Sequence, residues 1–227
     1  RFQCNSCHAD SGCSTWNKKS RGRTERFAIR RLFHVEQLTR AVVVDVSKID
    51  ARRSCGAPNL SPLAAEDPFN RDAAVWAALG KYTEIVRRWA QKVNLVSQED
   101  LPAFSERHVL PALALCHIIQ ALPHERLLDV GSGAGLPGIP LAIALPFSEI
   151  TLIESRRRRA NFLRHVVRSL GLTNVTVVCE RVEAWTPVHG FDIIMSRAVT
   201  DLAGLALMTS HCLLPAGLLL VTTGPET

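Results

Sequence analysis

Three glycines, Gly131, Gly133 and Gly135, follow Asp129 at the close of a short apolar run, and a second acid, Glu154, closes the next apolar run. Glycine in such a turn lets the backbone reverse tightly and approach a ligand without a Cβ in the way. Two ligands compete for it. A dinucleotide needs Gly-x-Gly-x-x-Gly, which Gly133, Gly135 and Gly138 supply. A sulfonium methyl donor, S-adenosylmethionine, needs an acid two residues before Gly-x-Gly-x-Gly, which Asp129 to Gly135 supply. Asp129 weighs for the second. A carboxylate beside a pyrophosphate repels it, whereas the donor carries an ammonium that an acid holds. Pro137 and Pro140 make a phosphate-facing helix start less natural. Glu154 can accept the hydroxyls of a ribose, which suits either nucleoside. An NAD-dependent oxidoreductase is the competing reading.

A second group is the run Arg156-Arg157-Arg158-Arg159. It opens a helical stretch in which Ala160, Leu163, Val167 and Leu170 are predicted to form the buried stripe. Four cations at a helix N-terminus oppose the macrodipole at ~0.3–1 kcal/mol each, so stability does not explain them. Contact with RNA phosphate does, through Arg157, Arg164 and Arg168 on the outer face with Asn161; a solvated basic face is the plainer alternative. No Cys–His nucleophile motif or acid–base carboxylate pair stands out, and no catalytic residue is assigned. Cys4-Asn5-Ser6-Cys7-His8 fits a haem-attachment pattern and, with Cys13, a zinc site. Nothing flanking it suggests export, and a fourth zinc ligand at ordinary spacing would have to be His8. No metal is expected. Trp76 and Trp89 lie on a helical apolar stripe and read as core rather than base-stacking platforms.

These residues need a scaffold. The 227 residues are 47% hydrophobic, enough for one sizeable domain with an appendage. The formal charge of +6 permits a polyanionic partner without demanding one. Seven cysteines, with Cys179 and Cys212 in apolar surroundings, suggest reduced thiols in the cytoplasm. Residues 1–30 show no secretory signal. Leu202 to Thr223 lacks charge, but His211, Pro215 and Gly217 near its middle favour a buried helix, a turn and a buried strand over a membrane span.

Residues 1–68 are predicted to be a disordered extension, apart from a short strand over Ala41 to Val46. Residues 69–125 form a helical segment: Val75, Trp76, Leu79, Tyr82, Val86, Trp89 and Val93 recur on one face, and a second run covers about Leu101 to Leu122. From 126 to 227 strands and helices alternate. Strands are predicted at Arg126 to Val130, Ile150 to Ile153, Val175 to Val178, Phe191 to Ser196 and Leu218 to Thr222. Helices are predicted at Ile139 to Leu145, Arg156 to Leu170 and Leu202 to Leu214. Such alternation implies an α/β fold with a mostly parallel sheet covered on both faces.

With these residues placed, the chain from about Leu79 to Gly224 resembles the ribosomal RNA small-subunit methyltransferase G family, also called glucose-inhibited division protein B. The run from Leu127 to Leu141, with Gly135-Leu136-Pro137-Gly138-Ile139-Pro140, carries most of the likeness. Trp89 with Asn94-Leu95-Val96-Ser97, Arg107-His108, Arg181-Val182-Glu183 and Ser196-Arg197-Ala198 add to it, and Arg158 matches a basic position.

The resemblance implies a Rossmann-like class I S-adenosylmethionine-dependent methyltransferase that modifies N7 of a guanine in 16S ribosomal RNA. The partner would be that RNA or the small ribosomal subunit, and the protein a cytoplasmic monomer. Gly131 and Leu136 would touch the donor, Val182 and Glu183 flank its adenine, and Arg197 lie beside the reacting end. His108 would take a substrate or a capping role. The sequence departs from the family at Pro111, where Asp is usual, and at Thr223, where Lys is usual. It lacks the family's last strands, and residues 1–68 have no counterpart, so a truncated copy that only binds cofactor or RNA is an alternative.

Overall fold

The computed structural model describes residues 2–4, 13–20, 23–35, 39–45, 73–197 and 201–223, with side chains over 73–197, apart from 117, and over 201–222. The chain from 126 onward follows the predicted alternation. Strands β5 (Arg126–Val130), β6 (Glu149–Ile153), β7 (Val175–Val178), β8 (Phe191–Arg197) and β9 (Leu213–Thr223) are each paired in parallel with their neighbours, in the order β9-β8-β5-β6-β7. β5 is the switch point: the chain builds outward on one side through β6 and β7, then returns to lay β8 and β9 on the other. In an open parallel sheet the crevice at such a point, beyond the carboxyl ends, is where ligands bind.

Side-chain parity divides the core into two layers. Leu127, Ile150, Leu152, Ile193, Met195 and Leu220 face one cluster; Leu128, Ile153, Ile194, Leu219 and Val221 face the other. The first face is covered by α1 (Ala73–Ala90), α2 (Leu110–Ile119), α3 (Gly138–Ala144) and α4 (Arg157–Leu170). The second carries Leu205 and Ala206 of α5 (Leu202–Thr209), with Val182 and Phe191. This is the Rossmann-like α/β architecture the alternation implies.

α1 buries Trp76, Leu79, Tyr82, Thr83, Ile85, Val86 and Ala90 against α3 and α4. Trp89 is half-buried and meets the Phe162 ring edge-on at 5.6 Å, so both tryptophans are packing residues. The predicted run from Leu101 to Leu122 is helical only in part: a π-turn at Ser105–Val109 leads into α2. The α4 stripe also differs from expectation. Its buried side chains are Ala160, Phe162, Leu163 and Val166, while Val167 and Leu170 are only partly covered. Phe162 is drawn in by the Trp89 ring, a contact from outside the helix that periodicity cannot see.

The uncharged run from Leu202 is the helix α5, a 3-10 turn at Ser210–Cys212 and then β9. β9 begins earlier than predicted and passes through Pro215, with a register shift against β8 and a positive φ of 65° at Ala216. No helix among the described residues is long and apolar enough to cross a membrane.

Within the first 68 residues the described backbone forms β1 (Phe2–Cys4), β2 (Cys13–Ser20), β3 (Arg23–Val35) and β4 (Thr39–Asp45). β1 to β4 pair antiparallel in sequence, and β4 runs parallel to the outer edge of β9, from Arg40 opposite Leu218 to Asp45 opposite Thr223. β4 matches the short strand read at Ala41 to Val46; the other three stand where disorder was predicted. Cys7 and His8 of the haem-like pattern lie outside the described residues.

Candidate functional site

The site grows from the end of β5. Asp129 shares the parity of Leu127 and points toward α3, where it is fully buried. The backbone N–H of Gly138 donates to its Oδ2 at 3.1 Å, while Oδ1 is buried with no hydrogen-bond partner. Burial pushes the carboxyl up to about 7, against the opposing pull of the Gly138 hydrogen bond, of the nearby Ser132 hydroxyl, which donates to the Asp129 backbone carbonyl, and of Arg197.

The glycines of the turn divide into two pairs. Gly131, with φ of 72°, would place a Cβ into open space with nothing within 4 Å. A Cβ on Gly133, at φ of 54°, would meet only Gly131 O at 3.7 Å and the Arg159 guanidinium at 3.9 Å. These two line the crevice. Gly135 and Gly138 serve packing instead. A Cβ on Gly135 would lie 2.6 Å from Ile139, and one on Gly138 would strike Leu152 and sit 2.7 Å from Asp129 Oδ2. The third glycine of the dinucleotide register is therefore accounted for by close approach of α3 to β5 and β6.

Glu154, just beyond β6, is almost fully buried. Its Oε2 accepts from Gly133 N–H at 3.0 Å and its Oε1 from Arg156 N–H at 2.8 Å. The carboxylate thus ties the glycine turn to the start of α4, leaving further lone pairs on each oxygen for a ligand. Val182 belongs to the second cluster, together with Ile153 at the end of β6; Glu183 beside it is exposed. Leu136 is buried in the main cluster, with its N–H donating to Ser132 O.

Arg197 ends β8, next to the strand whose end carries Gly131. Its guanidinium donates to His108 Nδ1 at 3.1 Å and acts electrostatically on both Asp129 and Tyr82. Asp129, Gly131, Gly133, Glu154, Val182 and Arg197 therefore meet around one group of strand ends. Arg157, Arg158 and Arg168 stand exposed along α4 and Arg164 is partly covered, its guanidinium donating to Asn161. Arg159 is different: it donates twice to the Asn94 carbonyl, at 3.0 and 2.8 Å, pinning the loop after α1 over the glycine turn.

Two contributors were missed in the sequence. Tyr82 reads there only as a stripe residue. In the structure its hydroxyl donates to the Ala134 carbonyl at 2.8 Å, bracing the turn from α1. Asp100 carries no motif, yet it binds Ser97 Oγ at 2.8 Å and Arg107 at 2.6 Å, with Oδ2 lying 3.6 Å from His108 Nε2.

The family profile described as GidB, rRNA small subunit methyltransferase G, matches residues 76–227. A ribosomal RNA small subunit methyltransferase G from Laribacter hongkongensis is 42% identical over 136 residues, covering 60% of this chain and 64% of that protein. One from Stenotrophomonas maltophilia strain K279a is 39% identical over 153 residues, covering 67% and 71%. The chain spans just under two thirds of the length of the first of these relatives. Among solved structures, coclaurine N-methyltransferase is similar with a TM-score of 0.45 at 14% identity, covering 78% of this chain and 58% of that one. The match over two thirds of the sequence places this chain in the GidB family, the rRNA small subunit methyltransferase G family.

Proposed function

We propose that the chain binds S-adenosylmethionine in the crevice above β5 and β6 and methylates N7 of a guanine in 16S ribosomal RNA. The observation that carries this is the buried, unpartnered Oδ1 of Asp129 beside the open space at Gly131. An orphaned carboxylate oxygen in a core is costly unless a ligand completes it, and an ammonium is the ligand its charge prefers. A diphosphate would meet repulsion there. Glu154 would take the ribose hydroxyls, Val182 and Glu183 would flank the adenine, and Leu136 would support the turn from beneath.

The bound donor supplies an electrophilic methyl group on a sulfonium. Guanine N7 offers a lone pair and carries no proton, so the chain needs no general base. Held by Asp129 and Glu154, the donor would supply the methyl group, and N7 would supply the electron pair that accepts it. What the chain provides is alignment of the donor and the base. Arg157, Arg158, Arg164 and Arg168 would hold RNA phosphates, placing the small ribosomal subunit as partner, with a monomer acting in the cytoplasm.

Calorimetry against S-adenosylhomocysteine and NADH, with methylation of ribosomal RNA from a strain carrying only this gene, tests the proposal. Binding of the first ligand and a modified guanine are expected. Preference for NADH would overturn the assignment of the crevice, and an unmodified guanine despite donor binding would leave a binding protein in place of an enzyme.

A further inference from the structure

Arg159 differs from the three arginines before it. Arg156, Arg157 and Arg158 are exposed, whereas Arg159 is half-buried and donates to the Asn94 carbonyl through Nε at 3.0 Å and Nη2 at 2.8 Å. Its remaining nitrogen, Nη1, lies against the glycine turn, 3.9 Å from where a Cβ on Gly133 would stand. One guanidinium thus spans the gap between the turn and the segment after α1.

That segment has little else to hold its backbone. Lys92 and Val93 still donate to the Trp89 carbonyl, and the next carbonyl to accept from the chain is Ser97, from Asp100 N–H at 3.2 Å. Among the described residues, the Asn94 carbonyl is the single backbone group of residues 94–96 with a hydrogen-bond partner. Leu95 is buried in the main cluster, with Val93 and Val96 packed against it. Apolar side chains hold the segment from beneath, and Arg159 holds it toward the crevice. A stretch with so few backbone hydrogen bonds opens locally at low cost.

The bond stands beside the path a ligand must take. Gly133 lines the crevice, and Glu154, the acid assigned to the ribose, accepts from Gly133 N–H. We infer that residues 91–97 are a strap at the mouth of the donor crevice, and that Arg159 is the positioning residue that holds it closed, so that the donor enters and its product leaves only when both bonds to Asn94 part. This rests on the donor assignment made above. A strap that closes equally over the empty and the filled crevice alters the rates of exchange and not the equilibrium.

Stopped-flow binding of S-adenosylhomocysteine to the full chain tests it. Arg159→Met, which keeps the stem and removes every donor, should raise the association and dissociation rates together, each roughly tenfold, and leave Kd within about twofold. Arg159→Lys, which still offers an ammonium to the Asn94 carbonyl, should fall between. Hydrogen exchange at residues 94–96 should quicken in Arg159→Met while residues 132–136 keep native rates, which separates a released strap from a loosened turn.

If the native chain binds no S-adenosylhomocysteine, the donor assignment fails and the strap with it. If it binds, and Arg159→Met leaves both rates at native values, this inference fails while the donor assignment stands. A Kd raised through dissociation alone, or faster exchange at residues 132–136, would make Arg159 a prop of the turn rather than a latch, and overturns the inference equally.

Discussion

Gly138 N–H holds Asp129 through Oδ2 alone, at 3.1 Å, and so leaves Oδ1 of a fully buried carboxylate for something else. The same glycine must lack a side chain for this to happen, since a Cβ there would collide with the oxygen it binds. The acid is thus built into the core at the expense of stability.

That cost should be measurable. A carboxyl raised from 3.8 to about 7 by burial is held protonated relative to the unfolded chain. Its stabilising share is whole below pH 3.8 and is lost as pH rises through about 7. At ~1.4 kcal/mol per pH unit the difference reaches ~4 kcal/mol at most. Asp129→Asn should therefore match or exceed the native Tm at pH 8 and gain little at pH 4, while losing affinity for S-adenosylhomocysteine. Paired melting curves at the two pH values check the sign, and a lower Tm at pH 8 would contradict it.

Ligand binding should show the reverse pH trend. Only the ionised carboxylate holds an ammonium, so affinity for S-adenosylhomocysteine should climb as pH rises from 6 to 8 and flatten above. Below about 7 binding should release a proton as the ligand lowers the Asp129 pKa. Calorimetry in buffers of different ionisation enthalpy counts that proton. A pH-independent Kd in the native chain, or proton uptake, would dissociate Asp129 from the ligand.

The two kinds of glycine predict opposite defects. Gly131→Ala meets no neighbour within 4 Å, so the chain should fold with a penalty of roughly 1–2 kcal/mol for an alanine at φ of 72° and lose donor affinity by filling the cradle. Gly131→Val should abolish binding outright. Gly138→Ala should instead lose stability, by roughly 1–3 kcal/mol of overpacking against Asp129 and Leu152. Melting and ligand titration on the pair separate them; an unstable Gly131→Ala with native affinity would exchange the two assignments.

Tyr82→Phe probes the brace from α1. The Ala134 carbonyl is buried and loses its 2.8 Å donor, which costs roughly 1–3 kcal/mol. Faster hydrogen exchange at residues 132–136 and a severalfold rise in donor Kd should accompany the lower Tm. Burial holds the Tyr82 hydroxyl above its ordinary range, so the effect should not change with pH. Native exchange rates in the turn would show that the brace does nothing for the site.

Local chemistry made the centre of this fold readable. Asp129, the glycine turn and Glu154 are close in sequence and joined by one strand–helix step, so spacing alone brought them together, and strict alternation located β5, β6, β7 and β8 to within a residue. Contacts between distant segments were not readable. Tyr82 reaches Ala134 across 52 positions, and Arg197 reaches His108 across 89. Phe162 looked like an off-stripe residue because the ring that buries it belongs to α1. The early start of β9 was hidden by Pro215, which a central strand tolerates here at the irregular pairing with β8.

The arginines after β6 supply the last test. Of the four in a row, Arg159 is committed to the Asn94 carbonyl, whereas Arg157 and Arg158 are exposed and keep their guanidiniums for a partner. Each phosphate contact adds ~0.7–0.9 to the slope of log affinity against log salt. Arg157→Glu with Arg158→Glu should weaken binding to a 16S ribosomal RNA fragment and flatten that slope by about one to two. Affinity for S-adenosylhomocysteine should be retained, because neither side chain enters the crevice. A slope unchanged by the double substitution would make this face of α4 an ordinary solvated surface and move the RNA contact elsewhere.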